Sequence, residues 1–291
     1  MTPLISVIIP SYNSAGFIRE ALDSVFGQTG VPLEVLVVDD GSTDDTQSVL
    51  EGYGDRIRVL TQVRGGPYRA RNLAASHARG EWLAFLDADD DWLPGKLAAQ
   101  LRLAQGGADL VYTDRLNFGD LSRVKARQSD SVTLHQGDVF ASLLMGNFIT
   151  LSSVLLRKST FNELGGFDIA RHGVQDWDLW LRYAGTGRTV GLCTDALTRY
   201  RIHDQQMTND LMGRAGDREA VLKKALASPR GTALPSRTAS QALASVWRLA
   251  GWHASSENRW LAVHCYVRSA RYWPWNIETT KGLVKALIGR H

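Results

Sequence analysis

The first ninety residues alternate apolar runs with segments of helical periodicity. Four apolar runs are predicted to be buried strands, at 4–10, 33–41, 57–62 and 81–87. A helical pattern follows each of the first three runs, and Ser14 is expected to cap the first of these helices. Strands and helices that alternate in this way are typical of βαβ units, so the chain is predicted to have an α/β fold with a mostly parallel sheet.

The pattern is less regular after residue 94. A helix at 94–107 and a strand at 108–114 are predicted, followed by a polar, irregular stretch at 114–135. Residues 138–168 indicate a helix, a strand and a short helix joined by turns, and 176–187 indicate another helix. From about 209 onward the chain is predicted to contain helices only.

Polar clusters follow three of the first four strands. They are "PSYN" at 10–13, "DDGS" at 39–42 and "DADDD" at 87–91. Ligands of parallel sheets bind beyond the carboxyl ends of the strands, so these clusters are expected to meet at one edge of the sheet.

The third cluster places four carboxylates in five positions, and Asp87 and Asp89 form an Asp-x-Asp motif. Unpaired buried carboxylates are costly, so they need either a solvated turn or a cation. A hard cation such as Mg²⁺ or Mn²⁺ binds through carboxylates together with substrate phosphates. Alternatively, the acids cap a helix that starts near Pro94, and for Asp90 and Asp91 this role would suffice.

Composition is that of an ordinary globular protein, with 291 residues of which 44% are hydrophobic and 22% charged. Cys193 and Cys265 lie 72 positions apart, without the spacing of a zinc site or a disulfide framework. The first residues lack a basic segment before their apolar run, so no signal peptide is predicted. The chain is therefore expected to be cytoplasmic.

Charge is distributed unevenly along the chain. Residues 1–229 carry 24 Lys and Arg against 28 Asp and Glu, whereas residues 230–291 carry 9 against 2 and five of the nine tryptophans. Helices with Arg and Trp can lie at the inner face of a membrane as a peripheral contact. The other interpretation is that the tryptophans are buried within the protein. Nucleic acid is not expected as a partner, because the net charge is only +3.

Four motifs in a fixed order, "PSYN", "DDGSTDDT", "GGPYRARN" and "FLDADDDWL", resemble the nucleotide-sugar-binding half of family 2 glycosyltransferases, and the match covers roughly 3–205. The resemblance implies a GT-A fold, which is a Rossmann-like mixed α/β sheet, with a C-terminal helical appendage. The expected catalytic domain is 1–228, with a donor-nucleotide half at about 1–112 and an acceptor half at about 113–228. The expected appendage is 229–291.

The same resemblance assigns six residues to the nucleotide: Pro10, Ser11, Tyr12, Asp40, Arg71 and Asp87. Tyr12 would lie near the base, and Asp40 would bind the base of a uridine or another nucleoside. Without the resemblance, a role of Asp40 in a turn and helix cap would be the better explanation.

Metal binding is implied in the same way. Asp89 would bind the Mn²⁺ or Mg²⁺ that bridges the two phosphates, and Asp87 would approach the ribose or the metal. In "YRIHDQQMT" at 200–208, Arg201 and His203 would meet the diphosphate or complete the metal site, although a lone histidine is often structural. Asn147 and Ser152 would touch sugar hydroxyls, unless they are satisfied polar groups of a buried strand.

The family's catalytic base is the Asp of a Glu-Asp pair that opens a helix. In "VQDWDLWLRYA" at 174–184, Gln175 replaces the Glu and Asp176 stands in the base position. The alternative role of Asp176 is a helix N-cap, and Asp178 is expected to be a first-turn acid. Direct displacement with such a base implies inversion of the anomeric centre.

The resemblance therefore implies a metal-dependent, hexosyltransferase-type enzyme of cell-surface polysaccharide synthesis. Its donor would be a nucleoside diphosphate sugar, with a UDP-sugar favoured, and its acceptor a hydroxyl of a glycan or lipid carrier. A catalytically inactive sugar-nucleotide-binding or scaffold protein is the alternative that Gln175 suggests. A nucleotidyltransferase is disfavoured, because "PSYNSAGF" at 10–17 is not a glycine-rich loop with Arg or Lys.

Overall fold

The computed structural model describes residues 4–122, 124–170, 173–203, 214–256 and 258–289. The chain forms two compact units. The first comprises Met1–Val139, Phe148–Ile169 and Arg188–His203, and the second comprises Phe140–Asn147, Ala170–Gly187 and Asp204–His291. The two units are thus interleaved along the sequence, and the domain boundaries proposed at 112 and 228 stay predictions.

The first unit contains one mixed sheet. In chain order the strands of the described residues are β1 (Ile5–Ser11), β2 (Leu33–Asp39), β3 (Arg58–Thr61), β4 (Trp82–Phe85), β5 (Asp91–Trp92), β6 (Leu110–Gly119), β7 (Leu155–Arg157) and β8 (Val190–Ile202). Their order across the sheet is β3-β2-β1-β4-β7-β6-β8-β5. The first four of that order are mutually parallel, and β7 is antiparallel to both of its neighbours. The sheet is therefore mixed, as the resemblance implies.

Helices occur in both units. The helices up to residue 185 are α1 (Ile18–Phe26), α2 (Thr46–Glu51), α3 (Pro67–His77), α4 (Lys96–Ala104), α5 (Phe140–Met145), α6 (Lys158–Glu163) and α7 (Gln175–Gly185). They are followed by α8 (Ala215–Leu226), α9 (Pro229–Thr232), α10 (Ser236–Ala254), α11 (Arg259–Tyr272) and α12 (Ile277–Ile288). Helices α5 and α7 to α12 belong to the second unit.

Burial explains why the first strands form. All residues of β1 and of β4 are buried, and β2 is buried from Val35 onward. The apolar face of α1, with Leu22 and Val25, packs into the same core as Ile5 and Val7 of β1. β-branched residues fit such a pleated, enclosed surface. The four strands and three helices predicted for the first ninety residues are confirmed.

Two local expectations are wrong, and one strand was not predicted. The stretch predicted to be irregular begins with β6, which continues to Gly119 because it pairs with β8 along its whole length. Strand β8 had no sequence signal of its own, since its exposed and buried positions do not alternate regularly. Ser14 does not cap α1, because its hydroxyl bonds to that of Ser11 at 2.5 Å while its carbonyl accepts from Phe17.

Tyr266 of α11 holds the last three helices together. Its ring packs with Ala254, Ala262 and Ala286 in a small apolar cluster. A β carbon on Gly251 of α10 would lie 3.1 Å from that ring, and one on Gly282 of α12 would overlap it. The helices approach each other closely at these two positions, and glycine leaves room there for the ring.

The buried carboxylate of Glu219 joins α8 to α10 and α11. It accepts hydrogen bonds from Trp247 Nε1 and Arg268 Nη2, each at 2.8 Å, and pairs with Lys223 Nζ at 2.6 Å. The hydroxyl of Tyr272 donates to it as well. Burial opposes ionisation, but the hydrogen bonds from Lys223, Tyr272 and Trp247 prevail and lower the pKa of Glu219 below 4.5.

None of the helices in the described residues is both long and apolar enough to cross a membrane.

We expect Glu219→Gln to destabilise the protein at neutral pH by about 1–3 kcal/mol, because four donors lose a charged acceptor. The native pKa of Glu219 is lowered, so its contribution to stability is present above about 4.5 and is lost as the pH falls. The difference in the free energy of unfolding between variant and wild type, measured with urea, should therefore become smaller below pH 4.5. Glu278→Gln, on an exposed ion pair with Lys281, is the matched control and should cost about 0.5 kcal/mol or less. A pH-independent difference for Glu219→Gln would contradict this account.

Candidate functional site

The polar clusters that follow β1, β2 and β4 lie at one edge of the sheet. β1 pairs in parallel with both other strands, and Ser11 is opposite Asp39. The backbone N–H of Asp40 donates to the carbonyl of Ser11 at 2.8 Å. The expected convergence of the three clusters is confirmed.

Three carboxylates crowd together after β4. Asp87, Asp89 and Asp90 each place one oxygen within 4.8 Å of the others. Hard divalent cations such as Mg²⁺ and Mn²⁺ prefer oxygen ligands of this kind, so the cluster fits either ion. The alternative role of Asp90 and Asp91 as helix caps is wrong, because the N-cap of α4 is Gly95, without a side-chain cap, and Asp91 belongs to β5.

Asp90 is buried within the protein. Its carboxylate accepts from the hydroxyl of Ser152 at 2.6 Å and from the backbone N–H of Arg201 at 3.0 Å. Burial raises its pKa well above 3.8, and the charges of Asp87 and Asp89 raise it further. A positive charge at this place would offset that cost.

The end of β8 brings two basic side chains to the acidic run. His203 Nε2 lies 2.9 Å from Asp89 Oδ2, and the imidazole stacks on the ring of Phe17 at 5.6 Å. Arg201 Nε donates to the backbone carbonyl of Asp89 at 2.9 Å. The two residues predicted as metal ligands, Asp89 and His203, are thus neighbours. Arg201, which the resemblance places with His203, lies at the same acidic run, and its contact with a diphosphate stays a prediction.

Arg71 of α3 forms an ion pair with Asp87. Its guanidinium is buried and lies 4.6 Å from the centre of the Tyr68 ring. Burial raises the pKa of Asp87 and Arg71 opposes that rise, while Asp89 adds to it. In the described part of the chain, Nε and Nη1 of Arg71 have no hydrogen-bond partner although both are buried. Buried polar groups are almost always hydrogen-bonded, so these two nitrogens distinguish Arg71 as a candidate binding residue.

Asp40 organises the turn before α3. One carboxylate oxygen accepts from Gln62 Nε2 at 2.6 Å and from the N–H of Gly65 at 2.7 Å, and the other accepts from the N–H of Gly66 at 2.8 Å. Gly66 has a φ of 88°, which favours glycine at this position. The structure thus gives Asp40 a local role, and its contact with a base stays a prediction.

Residues at the end of β1 form another part of the candidate site. Pro10 and Ser11 are buried, and Tyr12 is half-buried with the guanidinium of Arg64 lying 4.0 Å from its ring centre. Arg64 was not identified from the sequence. Its position in "QVRGG", between a strand and the helix of Arg71, is the signal that could have indicated it.

Asp176 lies in the second unit, in the first turn of α7. Asn147 Nδ2 donates to its Oδ2 at 2.9 Å. The N-cap position is Val174, so the alternative role of Asp176 as a helix cap is wrong. Asn147 thus orients this carboxylate, and its expected contact with sugar hydroxyls stays a prediction.

The neighbours of Asp176 on α7 are structural. Gln175 is buried and its side-chain oxygen accepts from the N–H of Val174 at 2.9 Å. Asp178 is buried between Arg182 Nε at 2.7 Å and Lys224 Nζ at 2.8 Å. The indole N–H of Trp177 donates to the carbonyl of Leu143 at 2.8 Å. Helix α7 is therefore fixed within its unit on either side of Asp176.

Comparison with known sequences decides the family. Residues 6–165 match the family described as glycosyl transferase family 2. This chain belongs to that family. TuaG of Bacillus subtilis, named for teichuronic acid biosynthesis, is 43% identical over 72% of this chain and 82% of its own length. An uncharacterized glycosyltransferase of Rickettsia typhi is 28% identical over 76% of this chain and 70% of its own.

Solved structures of glycosyltransferases share the GT-A fold of this chain. TarS from S. aureus, in complex with UDP-GlcNAc, superposes with a TM-score of 0.71 at 18% identity, covering 99% of this chain and 88% of its own. The mannosyltransferase PcManGT from Pyrobaculum calidifontis, in complex with GDP-Man and Mn²⁺, gives 0.62 at 22% identity over 99% and 87%. At this identity the likeness shows the fold, as expected from the sequence motifs.

The asparagine that follows Arg71 ties two segments of the first unit together. Asn72 Nδ2 donates to the carbonyl of Phe167 at 2.8 Å, and its Oδ1 accepts from the N–H of Phe167 at 3.0 Å. Phe167 is itself buried against Phe85 of β4 and Phe161 of α6. The amide thus joins the helix that carries Arg71 to the "GGFD" turn at 165–168.

We expect Asn72→Ala to lower the free energy of unfolding by about 2 kcal/mol, since both polar groups of a buried backbone position lose their partner. Asn72→Asp keeps an acceptor for the N–H of Phe167 but repels its carbonyl, so it should be destabilising as well. Urea unfolding monitored by circular dichroism measures both. Asn162→Ala, in α6, is the matched control. Equal stability of Asn72→Ala and wild type would contradict the role assigned to the amide.

Proposed function

We propose that this glycosyltransferase transfers a sugar from a nucleoside diphosphate sugar, with a UDP-sugar favoured, to a hydroxyl of a glycan or lipid-linked acceptor. The reaction would depend on Mn²⁺ or Mg²⁺, invert the anomeric centre and serve cell-surface polysaccharide synthesis in the cytoplasm. The observation that carries this proposal is the cluster of Asp87, Asp89 and Asp90 beside Arg71, whose Nε and Nη1 have no hydrogen-bond partner among the described residues.

A diphosphate fits the charges of this edge. Asp89 and His203 would hold the cation, and Asp87 would lie between that cation and Arg71. When bound, a divalent cation stabilises the negative charge that develops on a departing diphosphate. The buried Nε and Nη1 of Arg71 would donate to an oxygen of the donor, which supplies the acceptor that they lack.

The base of the nucleotide would be bound at the ends of β1 and β2. Pro10, Ser11 and Tyr12 would line it, and the Arg64 guanidinium that covers the Tyr12 ring would form one side of the binding site. Asp40 would accept from the base while it holds Gly65 and Gly66. A carboxylate has about four acceptor positions, so these roles are compatible.

Transfer needs one group that takes a proton. We assign this role to Asp176, which would accept the proton of the acceptor hydroxyl as that oxygen forms a bond to the anomeric carbon. The bond from that carbon to the phosphate oxygen breaks, and its electron pair leaves with the diphosphate. Attack opposite to the leaving group inverts the centre. Asn147 would keep the carboxylate of Asp176 in one orientation, which favours proton transfer.

The substrates of relatives support the donor and acceptor classes. TarS was solved with UDP-GlcNAc and PcManGT with GDP-Man and Mn²⁺, so nucleotide sugars are bound on this fold. TuaG is named for the biosynthesis of teichuronic acid, and a chondroitin synthase of Pasteurella multocida is 43% identical over 64% of this chain and 19% of its own length. These names favour a polysaccharide acceptor.

We expect one nucleoside diphosphate, UDP in the first instance, to bind in isothermal titration calorimetry only when Mn²⁺ or Mg²⁺ is present. Asp89→Ala should weaken that binding by about 100-fold, equivalent to ~3 kcal/mol, because it removes a charged metal ligand. Asp55→Ala, which removes an exposed acid outside the cluster, is the control and should bind as wild type does. Nucleotide binding that is equally tight without metal would refute the role of Asp89.

We expect Asp176→Asn to bind the nucleotide with unchanged affinity but to turn over donor roughly 10²–10⁴-fold more slowly, as the loss of a general base predicts. Asn147→Ala should slow turnover less, by roughly tenfold. Release of nucleoside diphosphate from the sugar donor is the measurement. A wild type that binds donor without any release would favour the inactive sugar-nucleotide-binding protein, and full activity of Asp176→Asn would rule out its role as the base.

A further inference from the structure

The five tryptophans of residues 230–291 have different environments. Trp247 is buried and donates to Glu219, and Trp273 is half-buried beside the guanidinium of Arg237 at 5.2 Å. By contrast, the exposed fractions of Trp252, Trp260 and Trp275 are 65%, 64% and 85%. Burial within the protein therefore accounts for Trp247 but not for these three residues.

Helix α12 has two apolar faces, of which only one is covered. Ala286 and Leu283 pack with Tyr266 in the apolar cluster of the last three helices. On the other side, Ile277, Val284 and Ile288 are 67%, 50% and 59% exposed. Their spacing of seven and four residues places them along one stripe of the helix. An isolated exposed apolar residue is ordinary, but a continuous stripe indicates a binding surface.

Basic residues accompany this stripe. Ile277, Thr280, Lys281, Val284 and Lys285 line one depression on the helix. Lys281 also forms an exposed ion pair with Glu278, and the two side chains lie 3.1 Å apart. Glu278 is the one acid of α12. Apolar and cationic groups thus occupy the same side of the helix.

Exposed aromatic residues lie near both ends of α12. Trp275 precedes the helix by two residues. At the other end, a β carbon on Gly289 would lie 3.6 Å from Arg259 Nη1, and the Arg259 guanidinium lies 4.6 Å from the centre of the Trp260 ring. We call Trp275, Ile277, Lys281, Val284, Lys285 and Ile288 the α12 face.

We propose that the α12 face binds the surface of a membrane that contains anionic lipid. The helix would lie in the plane of the interface, with Ile277, Val284 and Ile288 among the acyl chains and the lysines near lipid phosphates. Trp275 has the side chain that is enriched at the boundary between lipid headgroups and hydrocarbon. The proposal does not depend on the nucleotide site, which lies in the first unit.

Charge favours this occupant over the alternatives. The basic residues of the α12 face are Lys281 and Lys285, so two copies that met through this face would bring these lysines together. A nucleic acid would use the lysines but would leave the stripe of Ile277, Val284 and Ile288 without an apolar partner. An anionic bilayer satisfies both kinds of group at once.

The test is co-sedimentation of the full chain with vesicles of phosphatidylcholine alone and of phosphatidylcholine with 30% phosphatidylglycerol. We expect binding to the anionic vesicles only, and a steep loss of binding as salt is raised. Lys281→Gln with Lys285→Gln should weaken the partition constant roughly 30-fold, at about fivefold per charge. Ile277→Ser with Val284→Ser should weaken it by roughly tenfold or more.

A matched control replaces an exposed basic and an exposed apolar residue on another helix, by Arg102→Gln with Leu103→Ser on α4, and should bind as wild type does. Thermal unfolding of each variant tests whether it is folded. The salt dependence of binding is measured on wild type, so it does not depend on the folding of any variant. The proposal is overturned if wild type binds neither vesicle, if it binds both equally, or if the lysine and apolar variants bind like the control. It is also overturned if the chain dimerises without lipid in sedimentation equilibrium and Val284→Ser prevents it.

Discussion

Repulsion among Asp87, Asp89 and Asp90 is the interaction that determines which side chains lie at this edge of the first unit. Their oxygens lie within 4.8 Å of one another, and burial raises the pKa of both Asp87 and Asp90. The chain surrounds them with donors drawn from distant positions, which are Arg71 of α3, Ser152 of the short turn before β7, and Arg201 and His203 at the end of β8. The mixed sheet matters for this reason, since it brings the last strand beside the acids that follow β4. A bound cation would relieve the repulsion that remains.

Buried carboxylates elsewhere in the protein are treated differently. Asp178 is enclosed by Arg182 and Lys224, and Glu219 by Lys223, Arg268 and two aromatic donors. Those acids are neutralised by the protein itself, and their role is to join helices. The cluster after β4 is only partly neutralised by protein groups, and two nitrogens of Arg71 beside it lack acceptors among the described residues. The balance of charge thus distinguishes the structural acids from the cluster that we propose as the cation site.

The sequence predicted the parts of this arrangement that local patterns determine. Apolar runs gave β1 to β4, and the acidic run after β4 indicated a cation site, because burial and like charge are properties of neighbouring residues. Strand β8 was not predicted, since its pairing with β6 is a long-range contact without regular alternation. Arg64 was not identified, although its place in "QVRGG" could have indicated it. The hydrogen bond from Asn147 to Asp176 joins residues 29 positions apart, so no local pattern shows it. The family resemblance supplied the residue roles, which spacing alone could not provide.

Anomalous diffraction from a crystal soaked with Mn²⁺ and UDP tests the account of the acidic cluster most directly. We expect a single Mn²⁺ peak at a coordination distance of roughly 2 Å from the carboxylate of Asp89, with the diphosphate on the other side of the ion. A peak away from Asp87, Asp89 and Asp90, or UDP bound at this edge without any Mn²⁺ peak, would contradict it.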